Sequence, residues 1–144
     1  MIFTRHFSYE EFIRSEAAAR AGIGNELPPE LKTSAQFTLA GMERVRAALK
    51  SLPVKILSGY RGPEVNRLVG GSSSSQHMKA EAVDFVCPEF GTPLETAKFL
   101  APLCWVIGID QMILEPTWVH VSFTSNPRGQ VLHFVDGKYK VGLA

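Results

Sequence analysis

From Leu31 to Leu49 the apolar positions recur at helical spacing: Leu31, Ala35, Leu39, Met42, then Val45 or Arg46, and Leu49 share a face. Lys32, Glu43, Arg44 and Lys50 lie on the other faces. The pattern predicts the longest helix of the chain. It is entered through Pro28-Pro29-Glu30, where proline is tolerated in a first turn and an acidic side chain suits the positive end of the dipole. Pro53 is expected to stop it. A Leu and Met stripe of this kind reads as scaffold. Upstream, Ser8 followed three residues later by Glu11 forms a capping box, and Phe7 with Phe12 the matching hydrophobic staple, so a short helix begins there. Ala17 to Ala21 adds a helical turn, and Gly22-Ile23-Gly24-Asn25 reads as loop.

Beyond Pro53 the period changes from helical to alternating. Val54 to Ser58 predicts a strand, Gly59 to Pro63 a turn, Glu64 to Val69 a short helix, and Gly70 to Ser75 a serine-rich loop that delivers His77. Glu81 to Val86 predicts a second strand, with Ala80, Ala82 and Asp84 on one face and Val83 and Phe85 in the core. Leu94 to Ala101 reads as the second major helix, offering Leu94, Ala97, Leu100 and Ala101 to the core and ending at Pro102. Gln111 to Glu115 and Trp118 to Phe123 are strands joined by a Pro116-Thr117 turn. In the second of these, Val119, Val121 and Phe123 form the apolar face and Trp118, His120 and Ser122 the other. After a turn at Asn126 to Gly129, Val131 to Val135 is expected as the last strand, with His133 on its outer side. Helices come first and mainly antiparallel strands follow. The expected class is α+β, as one domain over residues 1–144.

Composition narrows the function. A hydrophobic content of 45% in 144 residues is enough for a core without staples. The formal net charge of +1 provides no electrostatic footprint for nucleic acid, so no nucleic-acid partner is expected. Cys87 and Cys104 are too few for a disulfide framework and read as buried, inert thiols. No apolar run reaches the ~18 residues of a membrane span, and MIFTRHFSYEEF lacks the charged start and apolar core of a signal peptide. A soluble chain made in the cytosol, without stable membrane association, is expected. His6 reads as a surface or loop histidine.

The chemistry concentrates in Ser75 to Asp84 and in Trp118-Val119-His120. Two imidazoles, His77 and His120, and one carboxylate, Asp84, meet the ligand count of a catalytic zinc, which keeps a fourth position open. On spacing alone, a hydrogen-bonded His–Asp pair or solvated side chains fit these residues as well.

Four ordered motifs go further. Ser58-Gly59-Tyr60-Arg61, then Asn66 with Gly70-Gly71, then Ser75-x-His77-x-x-Ala80-x-Ala82-x-Asp84, then Trp118-Val119-His120-Val121-Ser122 resemble the D-alanyl-D-alanine carboxypeptidase-like zinc peptidases. That family includes phage endolysins and VanX-type dipeptidases and, more remotely, the Hedgehog signalling domain. The similarity runs from about His6 to Phe134. Ala80 stands where the family pattern has glycine; its methyl is expected either to narrow the approach to the metal or to make a positive-φ backbone readjust.

The resemblance implies Zn2+ held by His77, Asp84 and His120, and a Hedgehog/D,D-peptidase-like fold. It places the base that activates water just upstream of the last ligand, where Glu115 stands; many members carry it three residues before the histidine, here Thr117. Glu81 and Asp110 are weaker candidates. Arg61 is implied as the cation for a developing oxyanion, and Ser75, Trp118 and Tyr60 as substrate contacts. The implied partner is the peptide stem of peptidoglycan, cut by a monomeric phage or prophage lysis enzyme made in the host cytoplasm and acting on the wall after release. The alternatives are a D,D-carboxypeptidase or dipeptidase and a non-catalytic wall-binding or virion structural module.

Overall fold

The computed structural model describes residues 2–143, and the helical stripe of residues 31–49 sits at its centre. A 3-10 turn at Pro29–Leu31 leads into α3 (Lys32–Ala48), whose Ala35, Leu39, Met42 and Val45 are buried in the main core. Helix α3 ends at Ala48, five residues before Pro53. Lys50 and Ser51 take left-handed φ angles of 61° and 58°, which stop the helix without help from proline. Before it lie α1 (Tyr9–Ile13) and α2 (Glu16–Ala21). The Ser8–Glu11 capping box is formed, with both reciprocal bonds present. His6 donates from Nδ1 to the Glu43 carboxylate of α3 at 2.7 Å, pinning the N-terminal segment.

After α3 come β1 (Lys55–Ser58), α4 (Pro63–Leu68), a 3-10 turn at Gln76–Lys79, and β2 (Ala82–Val86). Helix α5 (Pro93–Leu100) starts on a second capping box, Thr92 with Glu95. Helix α5 stops at Leu100 with Ala101 as its cap, directly before Pro102 as expected; Pro102 then sits in the first turn of a 3-10 turn, Ala101–Leu103, where its missing N–H costs nothing, and α6 (Cys104–Ile107) follows. Leu94 is exposed, whereas Ala97 and Leu100 are fully buried. Cys87 and Cys104 are free and buried, and burial pushes the Cys104 thiol up to about 11.

The strands β3 (Gln111–Leu114), β4 (Val119–Ser122), β5 (Gln130–Val135) and β6 (Lys138–Val141) complete a six-stranded sheet of order β1-β2-β4-β3-β5-β6. The pairings are antiparallel except β3 with β5, which run parallel, so the α+β fold carries a mixed sheet. Strand β5 is not the last. Asp136 and Gly137, with φ of 52° and 74°, turn the chain back into β6, a two-residue hairpin of the kind that Asp-Gly favours. Lys138 and Lys140 protect this edge strand from pairing with another chain.

Alternation and register together assign the two faces. Val83 lies opposite Val121 and Phe85 opposite Val119, and all four are fully buried. On the other face one cross-strand row runs Ser58, Asp84, His120, Ile113, Leu132. Helix α3 approaches the sheet closely at Gly41, where an added Cβ would stand 2.4 Å from the ring of Phe123. Alanine favours a helix over glycine by up to ~1 kcal/mol, but overpacking a rigid core costs about 1–3 kcal/mol. Gly41→Ala is therefore expected to destabilise the fold by about 1 kcal/mol, read as a lower denaturation midpoint. A midpoint at or above wild type would show that the Phe123 ring yields.

Candidate metal centre

His77 is built in by two short turns that clamp one another. Ser75 caps the 3-10 turn, its Oγ accepting from the His77 amide at 3.1 Å. The turn ends at Ala80, whose φ of 58° is left-handed. This is the position where the glycine was expected, and alanine adopts the glycine-like backbone at a cost of ~1 kcal/mol. Thr38 of α3 steadies it, donating to the Ala80 carbonyl at 2.7 Å. Ala80 is fully buried and does not line the cleft described below, so its methyl leaves the approach to the cluster open, contrary to the first of the two expectations.

The opposing turn is Gly59-Tyr60-Arg61. The Gly59 carbonyl accepts from His77 Nδ1 at 2.6 Å, and the Arg61 amide donates to the His77 carbonyl at 3.1 Å. Glycine is required at 59 because a Cβ would lie 2.4 Å from the Phe12 carbonyl oxygen. Asn25 ties this turn to the N-terminal helices: its Nδ2 donates to the carbonyls of Ile13 and Tyr60, and its Oδ1 accepts from the Gly62 amide. Nothing in the local pattern around Asn25 distinguishes it from an ordinary loop residue.

With the proton held on Nδ1, His77 Nε2 presents its lone pair to Asp84 Oδ1, 3.3 Å away. His120 Nδ1 lies 2.9 Å from the same oxygen, as the direct pairing of Asp84 with His120 across β2 and β4 dictates. One donor atom from each of the three residues falls within 4.8 Å of the others. His77 is 2% exposed, and burial lowers its pKa, which favours the neutral imidazole a metal needs. Burial by itself would raise the pKa of Asp84. The His120 and His77 side chains beside it outweigh this and hold the carboxyl far below the usual range. Neutral imidazole, carboxylate anion and an orienting carbonyl behind one ring are the donor set that zinc takes.

A cleft of about 660 Å³ opens over this cluster. Arg61, Ser75, Glu115 and Trp118 line it together with His77, Asp84 and His120. Tyr60 does not: it is 4% exposed, and its ring packs in the core, where burial and Glu30 raise its pKa. Glu115 closes the β3–β4 hairpin, its amide donating to the Trp118 carbonyl. Burial raises its pKa against a hydrogen bond from Tyr139 Oη at 3.2 Å and the nearby His120. Arg61 makes no ion pair among the described residues, and its Nε is buried without a partner. Asp110 is saturated elsewhere, accepting from the Arg128 amide and guanidinium and from Gln76 Nε2. Glu81 lies off the cleft wall, and His133 turns away to donate from Nδ1 to the Gly142 carbonyl.

Sequence reasoning missed part of the cleft wall. Leu132, Phe134 and Tyr139, from β5 and β6, line the cleft beside Glu115, to which Tyr139 is hydrogen-bonded. The Asp136-Gly137 dipeptide is the signal that would have exposed β6 and, with it, Tyr139.

Imidazole and carboxylate donors converging at the sheet, with a glutamate in the same cleft, are the groups a hydrolytic metalloenzyme uses. The peptidase M15 family model matches residues 5–122, so the chain belongs to the peptidase M15 family of zinc-dependent metallopeptidases. A search of curated proteins gave no match. Among the described residues, no helix is long and apolar enough to cross a membrane. Strands β5 and β6 lie beyond the matched range.

If His77, Asp84 and His120 are the ligands, His77→Ala or His120→Ala should reduce bound zinc from about one ion per chain to near none. Elemental analysis of both purified variants decides this. Zinc retained in both would reject the assignment.

Proposed function

We propose that the protein hydrolyses amide bonds in the peptide stem of bacterial peptidoglycan, in the setting of phage or prophage lysis. The reading is carried by one observation: the His77–Asp84–His120 cluster and Glu115 share one cleft of about 660 Å³. Membership of the peptidase M15 family supports the zinc chemistry.

Zinc held by His77, Asp84 and His120 would supply Lewis acidity to the scissile carbonyl and lower the pKa of a water at its open position toward ~7. The remaining work falls to side chains. Glu115 takes the proton of the attacking water on its carboxylate and passes it to the leaving amine nitrogen. Its raised pKa suits both directions of transfer. Arg61, lining the cleft without a carboxylate partner, provides N–H donors for the oxyanion that develops on the carbonyl. Burial presses the Arg61 pKa down while Asp84 pulls it up, and a guanidinium remains charged throughout. Ser75 and Trp118 line the path of the peptide.

The experiment is digestion of purified sacculi by the zinc-loaded protein, with mass spectrometry of the released muropeptides. Glu115→Gln keeps size and reach but removes the basic carboxylate, so turnover should fall on the order of 10²-fold or more at unchanged zinc content. The wild-type rate should decline as pH falls through the Glu115 pKa, because the protonated form cannot act as base. With that pKa raised, the decline begins above the ordinary glutamate range, and Glu115→Gln should abolish it. Unaltered turnover at matched zinc would remove Glu115 from the mechanism.

Arg61→Ala should lower kcat on the order of 10²-fold while zinc content stays at the wild-type level. A fall in melting temperature without a kinetic defect would make Arg61 a structural residue instead.

A further inference from the structure

The cleft over the metal cluster is one of two. A second, of about 470 Å³, lies on the β1 side and shares Arg61, Val69 and Asp84 with the first. The cross-strand row explains the arrangement. Ser58 lines the second cleft, Ile113 and Leu132 line the first, and Asp84 and His120 stand between them in the same row. A peptide laid along this row over the cluster therefore has room on both sides of the bond being cut.

The two ends differ in chemistry. The first is walled by Ile113, Trp118, Leu132, Phe134 and Tyr139. The second carries Arg14 and Lys55, both exposed and without an ion-pair partner among the described residues. Of its acidic residues, Glu16 points largely into solvent, 3.9 Å from Arg20, and Asp84 belongs to the metal cluster. Leu57 and Val69, large apolar side chains left exposed on the same walls, offer a surface for the peptide that carries the charge.

We infer that the second cleft is a substrate-binding site for a carboxylate, held by Arg14 and Lys55 as the peptide crosses the metal centre. This rests on the peptidase reading and adds to it the side of the substrate that bears negative charge. The carboxylate has two sources. It belongs either to a residue within the peptide or to the peptide's C-terminus. The chemistry of recognition is the same.

The test uses stem peptides released from sacculi in three forms: native, amidated at the C-terminus alone, and amidated at every carboxyl. The proposal expects full amidation to raise KM about five- to tenfold, the worth of one or two partly exposed ion pairs, with kcat little changed. Arg14→Gln with Lys55→Gln should raise KM for the native stem equally and erase the difference between stems. If C-terminal amidation alone reproduces the full effect, the bound group is the terminal carboxylate. If it has no effect, the group lies within the chain. Equal KM for native and fully amidated stems, or an unchanged KM in the double variant, overturns the proposal. Calorimetric titration of the same stems into Glu115→Gln protein separates it from the catalytic reading. Binding that weakens on full amidation supports the site even if no stem is cleaved, and binding indifferent to amidation, or none to any stem, overturns it.

Discussion

The place of His77 in the metal centre depends on the hydrogen bond from its Nδ1 to the Gly59 carbonyl. At 2.6 Å between two buried groups, it fixes the tautomer and the ring plane of His77, and the Nε2 lone pair must then face Asp84. A histidine held on a four-residue 3-10 turn would otherwise sweep through several rotamers, because such a turn has little rigidity of its own. Bonds from Ser75, Thr38 and the Arg61 amide hold the turn, and Asn25 holds the Gly59-Tyr60-Arg61 turn in its place. Orientation of one ring thus draws on α3, the N-terminal helices and the edge of the sheet together.

Asp84 and His120 need no comparable support. They are direct partners in a β ladder, and the backbone register alone brings their side chains to 2.9 Å. The centre therefore combines a rigid pair with a clamped single ligand. That division accounts for two small residues beside the centre without appeal to catalysis. Gly59 and Ala80 serve backbone geometry, the first by close approach to Phe12 and the second by its left-handed φ.

The legible parts of the fold were those with a period. The α3 stripe and the alternation in β2 and β4 assigned faces correctly, and from those faces Asp84 and His120 were expected to project away from the core, as they do. Where proline was taken as the stop signal, the outcomes differed. Lys50 and Ser51 ended α3 before Pro53 was reached, whereas α5 did stop directly before Pro102. The parallel pairing of β3 with β5 left no trace in the pattern. It is set by contacts distant in sequence: the Gly129 amide to the Ile109 carbonyl, the Gln130 amide to the Asp110 carbonyl, and Arg128 gripping the Asp110 carboxylate. Tyr60 shows the opposite failure. It sits in a motif beside Arg61, yet neighbours in a tight turn point in different directions, and the ring went to the core.

The β5–β6 hairpin hangs from the sheet along a single seam, its parallel ladder with β3, and it contributes no donor to the metal cluster. Metal affinity and cleft shape are thereby written in separate parts of the chain. A change at Leu132, Phe134 or Tyr139 redraws one bank of the cleft while the ligand ladder between β2 and β4 keeps its register. The hairpin is in that sense a jaw set on a fixed vice: it shapes what the architecture grips and touches the chemistry only through the bond from Tyr139 to Glu115, while Asp84 and His120 stay in their own ladder.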